Sequence, residues 1–173
     1  MRTSRGFSLI ELLVVVIVIG ILAAVLLDRV LPLIGRAQRT AFVQVRVDLQ
    51  TALLLTAAER ITRGEAATLP SLAGVNPMTL LLTPPANYVG SFAWPADEDV
   101  PRASWYFDER SHRLVYRVGR YTRFDAQGGP PGRIELTTEF VFEDRDGSGS
   151  FEPSRDEFEG LRLTPVHAFA WPD

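Results

Sequence analysis

Glu11 is the fifth residue of the most apolar segment of the chain, residues 7–27, where the only other polar side chain is Ser8. A charge near the interior of a bilayer costs ~3 kcal/mol even on the gentler insertion scales. A carboxylate kept at that cost needs a role. Buried charges persist when they are paired, so Glu11 calls for a cationic partner. A proton-relay or snorkelling carboxylate is the competing reading.

A second acidic group lies near the other end of the chain, in "DRDGSGSFEPSRDE". Asp144, Asp146, Ser148, Gly149 and Phe151 follow the first half of an EF-hand-like loop. Alternating carboxylates and a hydroxyl can face one hard cation, and the glycine permits a sharp turn. The Ser150 carbonyl would add a ligand, and Glu152 another through water. The twelfth position, a bidentate glutamate in that loop, is Arg155 here. Asp156 or Glu157 can replace it only if the backbone departs from the helical original. Nothing in the sequence requires a cofactor. Calcium is the ion this loop could hold, with an affinity on the order of 10⁻⁴ M. The competing reading is a polar hairpin turn, where Asp, Gly and Ser are favoured for backbone reasons alone.

The remaining candidates are thin. His112 falls in an expected turn and His167 in an expected strand, neither beside a nucleophile or a second ligand, and both read as structural. There is no G-x-S-x-G, phosphate loop or dinucleotide fingerprint, so the sequence reads as a non-enzyme. Trp94, Trp105 and Trp171, with ten phenylalanines, read as core and interface residues. With no cysteine in 173 residues, disulfides and thiolate chemistry are excluded. All the basic residues are arginine, and a net charge of −3 gives no support for a nucleic-acid surface.

Several elements must position these groups. "MRTSRG" is short, basic and polar, and the apolar run that follows would span ~30 Å as a helix, enough to cross a membrane. Arg2 and Arg5 precede the run, so its start should stay cytoplasmic and the bulk of the chain should lie across the membrane. An ordinary signal peptide has a shorter core and a small-residue cleavage site after it. Here Ala23 and Ala24 sit inside the run. A plain anchor explains the run but not Glu11, nor the Gly6-Phe7 junction.

The stretch "GFSLIELLVVVIVIGILAAV" resembles the N-terminal segment of type IV prepilins and type II secretion pseudopilins. The resemblance implies cleavage between Gly6 and Phe7 by a prepilin peptidase, with N-methylation of Phe7. Glu11 then becomes the fifth residue of the mature chain. The new amine at Phe7 is a cation in an apolar layer, and Glu11 of a neighbouring subunit can pair with it. Phe7 and Glu11 are thus assembly residues. Loss of Arg2 and Arg5 leaves the mature chain two units more negative than −3.

Helical character continues beyond the membrane. Phe42, Val45, Leu49, Ala52, Leu53 and Thr56 form one apolar stripe. Val43, Val47, Leu54, Ala58 and Ile61 form a second, and Gln38, Arg39, Gln44, Arg46, Asp48 and Gln50 fill the wet side. Gly64 should end the helix after Arg63. Gly20 and Pro32 interrupt it, and Pro32 predicts a kink or a membrane-exit bend. A loop follows, with one helical turn near residues 78–82. Trp105 to Phe107 and Leu114 to Val118 read as a hairpin. "RIELTTEFVF" alternates as a strand, with Ile134, Leu136, Thr138, Phe140 and Phe142 on one face. "FEGLRLTPVHAFAW" reads as a last strand.

The expected fold is α+β and type IV pilin-like: a long N-terminal helix, half membrane and half amphipathic, packed on a small antiparallel sheet of about four strands. Residues 1–6 form the leader, 7–30 the transmembrane and assembly helix, and 31–173 a periplasmic domain with strands from about residue 91. The expected function is a structural subunit of a type II secretion pseudopilus. Its partners would be the prepilin peptidase, other pilin-like subunits and the inner-membrane assembly platform. The expected location is the bacterial inner membrane, as a single-pass protein with its C-terminal domain in the periplasm. A minor type IV pilin for adhesion, motility or DNA uptake is the alternative. The absence of cysteine and the small domain favour the pseudopilus. A periplasmic enzyme or binding module on a borrowed anchor is the rival of a different class.

Overall fold

The computed structural model describes residues 7–93 and 99–172. One helix, α1 (Leu9–Thr62), runs without interruption through both Gly20 and Pro32. At 1.5 Å per residue it is about 80 Å long. The expected break at Pro32 does not interrupt the helix, although the proline still removes one backbone hydrogen bond.

The helix ends as the sequence predicts. Gly64 adopts φ +76°, which a side chain would disfavour. Its amide donates to the Ile61 carbonyl at 3.0 Å, and the Glu65 amide donates to the Arg60 carbonyl at 2.8 Å. This paired arrangement satisfies two carbonyls that the helix end would otherwise leave open. Two short 3₁₀ turns follow, Ala66–Leu72 and Pro77–Leu80. The second holds the expected helical turn.

Five strands make one sheet in chain order: β1 (Tyr88–Phe92), β2 (Ser104–Asp108), β3 (Arg113–Arg117), β4 (Arg133–Glu143) and β5 (Glu157–Pro165). The pairs β2/β3, β3/β4 and β4/β5 are antiparallel. The first pair is parallel, Tyr88 opposite Trp105. Residues 88–90 belong to this strand and not to the expected loop, so the sheet has one strand more than the four expected and begins at Tyr88 instead of near residue 91. The last strand is shorter than its reading. It stops at Pro165, and Ala170 then forms an isolated bridge with Asp125.

The core lies between α1 and one face of the sheet. Phe42, Leu49, Leu53 and Ala57 are its helical side. Their spacing of seven and four residues keeps them on one face. Trp105, Phe107, Leu114, Tyr116, Ile134, Leu136, Leu161 and Leu163 form the sheet side. Phe42 stacks on Trp105 with centroids 5.1 Å apart and packs edge-on against Phe169 and Trp171. Trp105 and Trp171 are therefore core aromatics, whereas Trp94 lies outside the described residues. A small cluster of Val100, Tyr106 and Val115 covers the opposite face. The second helical stripe stays open: Val43, Val47, Leu54 and Ile61 are all exposed.

Gln50 departs from its expected place on the wet face. It is half-buried, and its side chain bonds to the backbone of β5 at Leu161 and Leu163.

Candidate functional site

Residues 7 and 8 precede the helix, and Ser8 is its N-cap with extended backbone. Glu11 lies in the first turn, where a negative charge suits the helix dipole. Ser8 and Glu11 stand at capping-box spacing, yet the Ser8 side chain makes no capping bond. Phe7 and Glu11 are both exposed. Gly6 lies outside the described residues. The apolar side chains from Leu9 to Leu27 are exposed throughout, so the folded domain covers none of this part of α1. Its composition and length suffice to cross a membrane. Apolar surface of that extent needs lipid or neighbouring helices to cover it.

Residues 1–27 match the family described as the prokaryotic N-terminal methylation motif. This is a prepilin-type segment. It is the kind of segment that carries cleavage and methylation in type IV pilins and pseudopilins, and the helix that continues it is long and apolar enough to cross a membrane. No curated protein and no solved structure matches the chain. The α+β arrangement, one long helix on a mostly antiparallel sheet, is pilin-like in its own right.

The acidic loop spans residues 144–156 and joins β4 to β5. Asp144 is the first residue after β4 and Asp156 the last before β5. Paired strands lie about 4.8 Å apart, so the two ends of the loop are neighbours by construction. Asp144, Asp146 and Asp156 converge, with one carboxylate oxygen of each within 4.8 Å of the others. The loop turns through Gly147 at φ +71° and Gly149 at φ +74°. Phe151 anchors its middle, packing on Phe140 at 5.0 Å and Phe142 at 5.5 Å.

Each carboxylate also supports the backbone. Asp144 accepts from the amides of Gly147 at 2.8 Å, Ser148 at 3.2 Å and Gly149 at 2.7 Å. Asp146 accepts from the Ser148 amide at 3.0 Å. Asp156 is buried and accepts from Arg145 N at 3.2 Å and Glu152 N at 2.7 Å. A carboxylate offers about four lone-pair sites, so all three retain acceptor capacity. The Ser148 hydroxyl donates to the Ser150 carbonyl at 3.0 Å.

One expected ligand behaves differently. The Glu152 carboxylate pairs with Arg155 at 3.4 Å instead of joining the three aspartates. Arg155 also donates to Asp146 Oδ2 at 3.1 Å. That guanidinium, followed by the Ser148 hydroxyl and amide, holds the Asp146 carboxyl below its ordinary pKa. The chain does not continue as an EF-hand helix after Glu152. It turns, with the Asp156 amide bonding back to the Glu152 carbonyl at 2.8 Å, and this brings the thirteenth position into the group. The set fits a hard cation by its chemistry: oxygen donors only, three of them anionic.

One feature had no sequence signal. Loop residues 119–123 press against α1 at Gly35, the first buried residue of the helix. A Cβ there would lie 2.5 Å from the Tyr121 carbonyl oxygen. Thr122 donates to the Gln38 Oε1 at 2.5 Å beside this contact. A cleft of 630 Å³ opens next to it, lined by Leu31, Pro32, Arg36, Arg39, Arg123 and Trp171 among others.

Proposed function

We propose that the chain is a structural subunit, processed by a prepilin peptidase between Gly6 and Phe7 and assembled into the pseudopilus of a type II secretion system. The observation that carries this reading is Glu11 within the exposed, apolar N-terminal part of α1, which bears the methylation motif. The amine created at Phe7 and the Glu11 carboxylate of an adjoining subunit neutralise each other in the apolar filament core. Either charge left alone there is penalised, so the pair sets the register in which subunits stack. The exposed stripe of Val43, Val47, Leu54 and Ile61 extends the same packing beyond the membrane. The subunit is anchored in the inner membrane, with its domain in the periplasm, until the assembly platform extracts it. The absence of cysteine and the small domain support a pseudopilus over an adhesive pilus.

Asp144, Asp146 and Asp156 would hold a calcium ion, with the Ser150 carbonyl and Ser148 as neighbouring oxygen donors. The ion would neutralise three carboxylates and tie the two ends of the loop together.

Mass spectrometry of protein from its native host tests the assignment. The expected mature chain begins with N-methylated Phe7. Gly6→Ala should leave the leader attached, and Glu11→Ala should be processed but excluded from filaments. A native chain that still begins at Met1, or normal filaments from Glu11→Ala, would overturn the reading.

A further inference from the structure

The acidic loop carries its own counter-ions. Residues 143–157 hold six carboxylates against two arginines, Arg145 and Arg155. Like charges repel, and closing the loop concentrates them. Four of the six carboxylates are paired with those arginines. Arg145 lies across the neck of the loop, where it pairs with Glu143 at the end of β4, at 3.4 Å, and with Glu157 at the start of β5. Arg155 lies across the body of the loop, 3.1 Å from Asp146 and 3.4 Å from Glu152. The other two carboxylates are those held by backbone amides, Asp144 by three and Asp156 by two. Every carboxylate between residues 143 and 157 is therefore met by a donor of this chain.

The division follows the chemistry of the donors. An amide is a fixed dipole whose direction is set by the turn, so it serves the carboxylates that shape the backbone. A guanidinium is a planar fork of five donors on a long stem, so it can bridge carboxylates from different parts of the loop. Arg155 stands where an EF-hand-like loop has its bidentate glutamate. A cation built into the chain thus replaces an anion that would need a cation from solution.

We propose that Arg155 is a tethered cation that holds the loop closed without a metal, and that calcium binds only by displacing it from Asp146. Arg145 keeps the strand ends together in both states, because neither Glu143 nor Glu157 belongs to the converging aspartate group. An exposed ion pair is a weak contact, so the exchange is easy. When calcium takes Asp146, the guanidinium keeps Glu152 as its partner. The loop has the same closed shape in both states, and the subunit is ready for assembly whether or not it has met calcium. The displacement step rests on the calcium reading of Asp144, Asp146 and Asp156, whereas the tethered cation stands on the ion pairs alone.

The test is hydrogen exchange of the full chain in detergent, read by mass spectrometry on the peptide that contains Gly147, Ser148 and Gly149. These amides donate to Asp144 and Asp146, so their protection reports loop closure. Each protein is measured in chelator and in excess calcium. Wild type should exchange alike in both. Arg155→Gln should exchange roughly fivefold faster in chelator, the upper range for loss of an exposed ion pair, and calcium should restore its protection. Arg155→Lys, which retains the charge, should exchange more slowly than Arg155→Gln. Arg162→Gln removes a pair with Glu159 outside the loop and should change nothing. A wild-type loop that exchanges fast in chelator and slowly in calcium overturns the tethered cation and leaves the calcium site standing. This arm needs no substitution, so it decides even if a variant folds poorly. Arg155→Gln as protected as wild type in chelator also overturns the proposal, because the amides then suffice. So does a loss that neither lysine nor calcium reverses, which would make the role one of shape, not charge. A loss that lysine reverses and calcium does not keeps the tethered cation and removes the calcium site together with the displacement step.

Discussion

Gln50 and Leu163 are 113 positions apart and joined by a hydrogen bond, the Leu163 amide donating to Gln50 Oε1 at 2.9 Å. The same side chain donates through Nε2 to the Leu161 carbonyl at 2.6 Å. A primary amide carries one donor and one acceptor side, like a peptide group. Gln50 therefore pairs with β5 as a neighbouring strand would. An open strand edge is a template for unwanted pairing, and here the helix covers part of it.

Gln50→Ala should lower the stability of the domain by about 2–3 kcal/mol, because a half-buried donor and acceptor both lose their partner. Gln50→Glu should not rescue it, since a carboxylate has no hydrogen to offer the Leu161 carbonyl. Chemical denaturation of the full chain in detergent, followed by tryptophan fluorescence, measures both. A change below about 0.5 kcal/mol in both variants would show that water replaces the amide without loss.

Gly35→Ala tests the contact between helix and loop. Alanine raises helix propensity by ~1 kcal/mol over glycine. Here the added carbon meets the Tyr121 carbonyl oxygen at 2.5 Å, and that backbone atom has to move. Overpacking of this kind costs about 1–3 kcal/mol, so the net effect should be destabilising. Faster hydrogen exchange in residues 119–123 should accompany it. A variant more stable than wild type would mean that the loop yields freely.

These two contacts show where the sequence was legible and where it was not. Helical periodicity identified Phe42, Leu49 and Leu53 as one buried stripe, and the exposed stripe through Val43 and Val47 was equally plain. The same rule placed Gln38 and Gln50 on the wet face, because periodicity separates polar from apolar and cannot see that an amide matches a strand edge. β1 was hidden for a different reason. It is short, contains Gly90 and Ser91, and departs from regular register between Tyr88 and Ser91. Its parallel partner is set by a crossover, not by a local turn. In the acidic loop, Asp144 and Asp146 followed from spacing. Asp156 took its place because a strand begins at Glu157, which a helix-based template does not anticipate. The arginine cleft joins segments from residues 31–39, 121–123 and 171–172, and only the fold brings them together.

Alkaline pH should unfold the domain through its buried tyrosines. Burial raises the pKa of Tyr116 above its ordinary 10.0. Burial also raises Tyr106, with Asp108 and Glu135 adding to it. Both rings are neutral in the fold. The unfolded chain starts to ionise them near pH 10, so their contribution is complete below that value and is lost as pH rises towards the raised folded values. Tyrosinate absorbance should therefore appear together with loss of circular dichroism. Tyr116→Phe should shift this unfolding to higher pH. Full ionisation of every tyrosine in a still-folded chain would contradict the account.

Arg155→Glu tests the acidic loop most directly. In the wild type the guanidinium sits 3.1 Å from Asp146 Oδ2, where it competes with any cation for that oxygen. Replacing it removes the competitor and restores an acid at the twelfth position of the loop. Ligand charge count tunes calcium affinity in such loops, so the variant should bind calcium roughly tenfold more tightly than wild type. Asp156→Asn should weaken binding, since it removes the buried carboxylate at the strand entry. The two variants also differ in acid. Arg155 is the largest cause of the lowered Asp146 pKa, so without it protons reach Asp146 at higher pH and calcium should be lost earlier on acidification. Isothermal titration of the full chain in detergent, at neutral and mildly acidic pH, reads all three effects. No heat with calcium in either wild type or Arg155→Glu would leave the aspartates as turn residues, held in place by the amides of Gly147, Ser148 and Gly149.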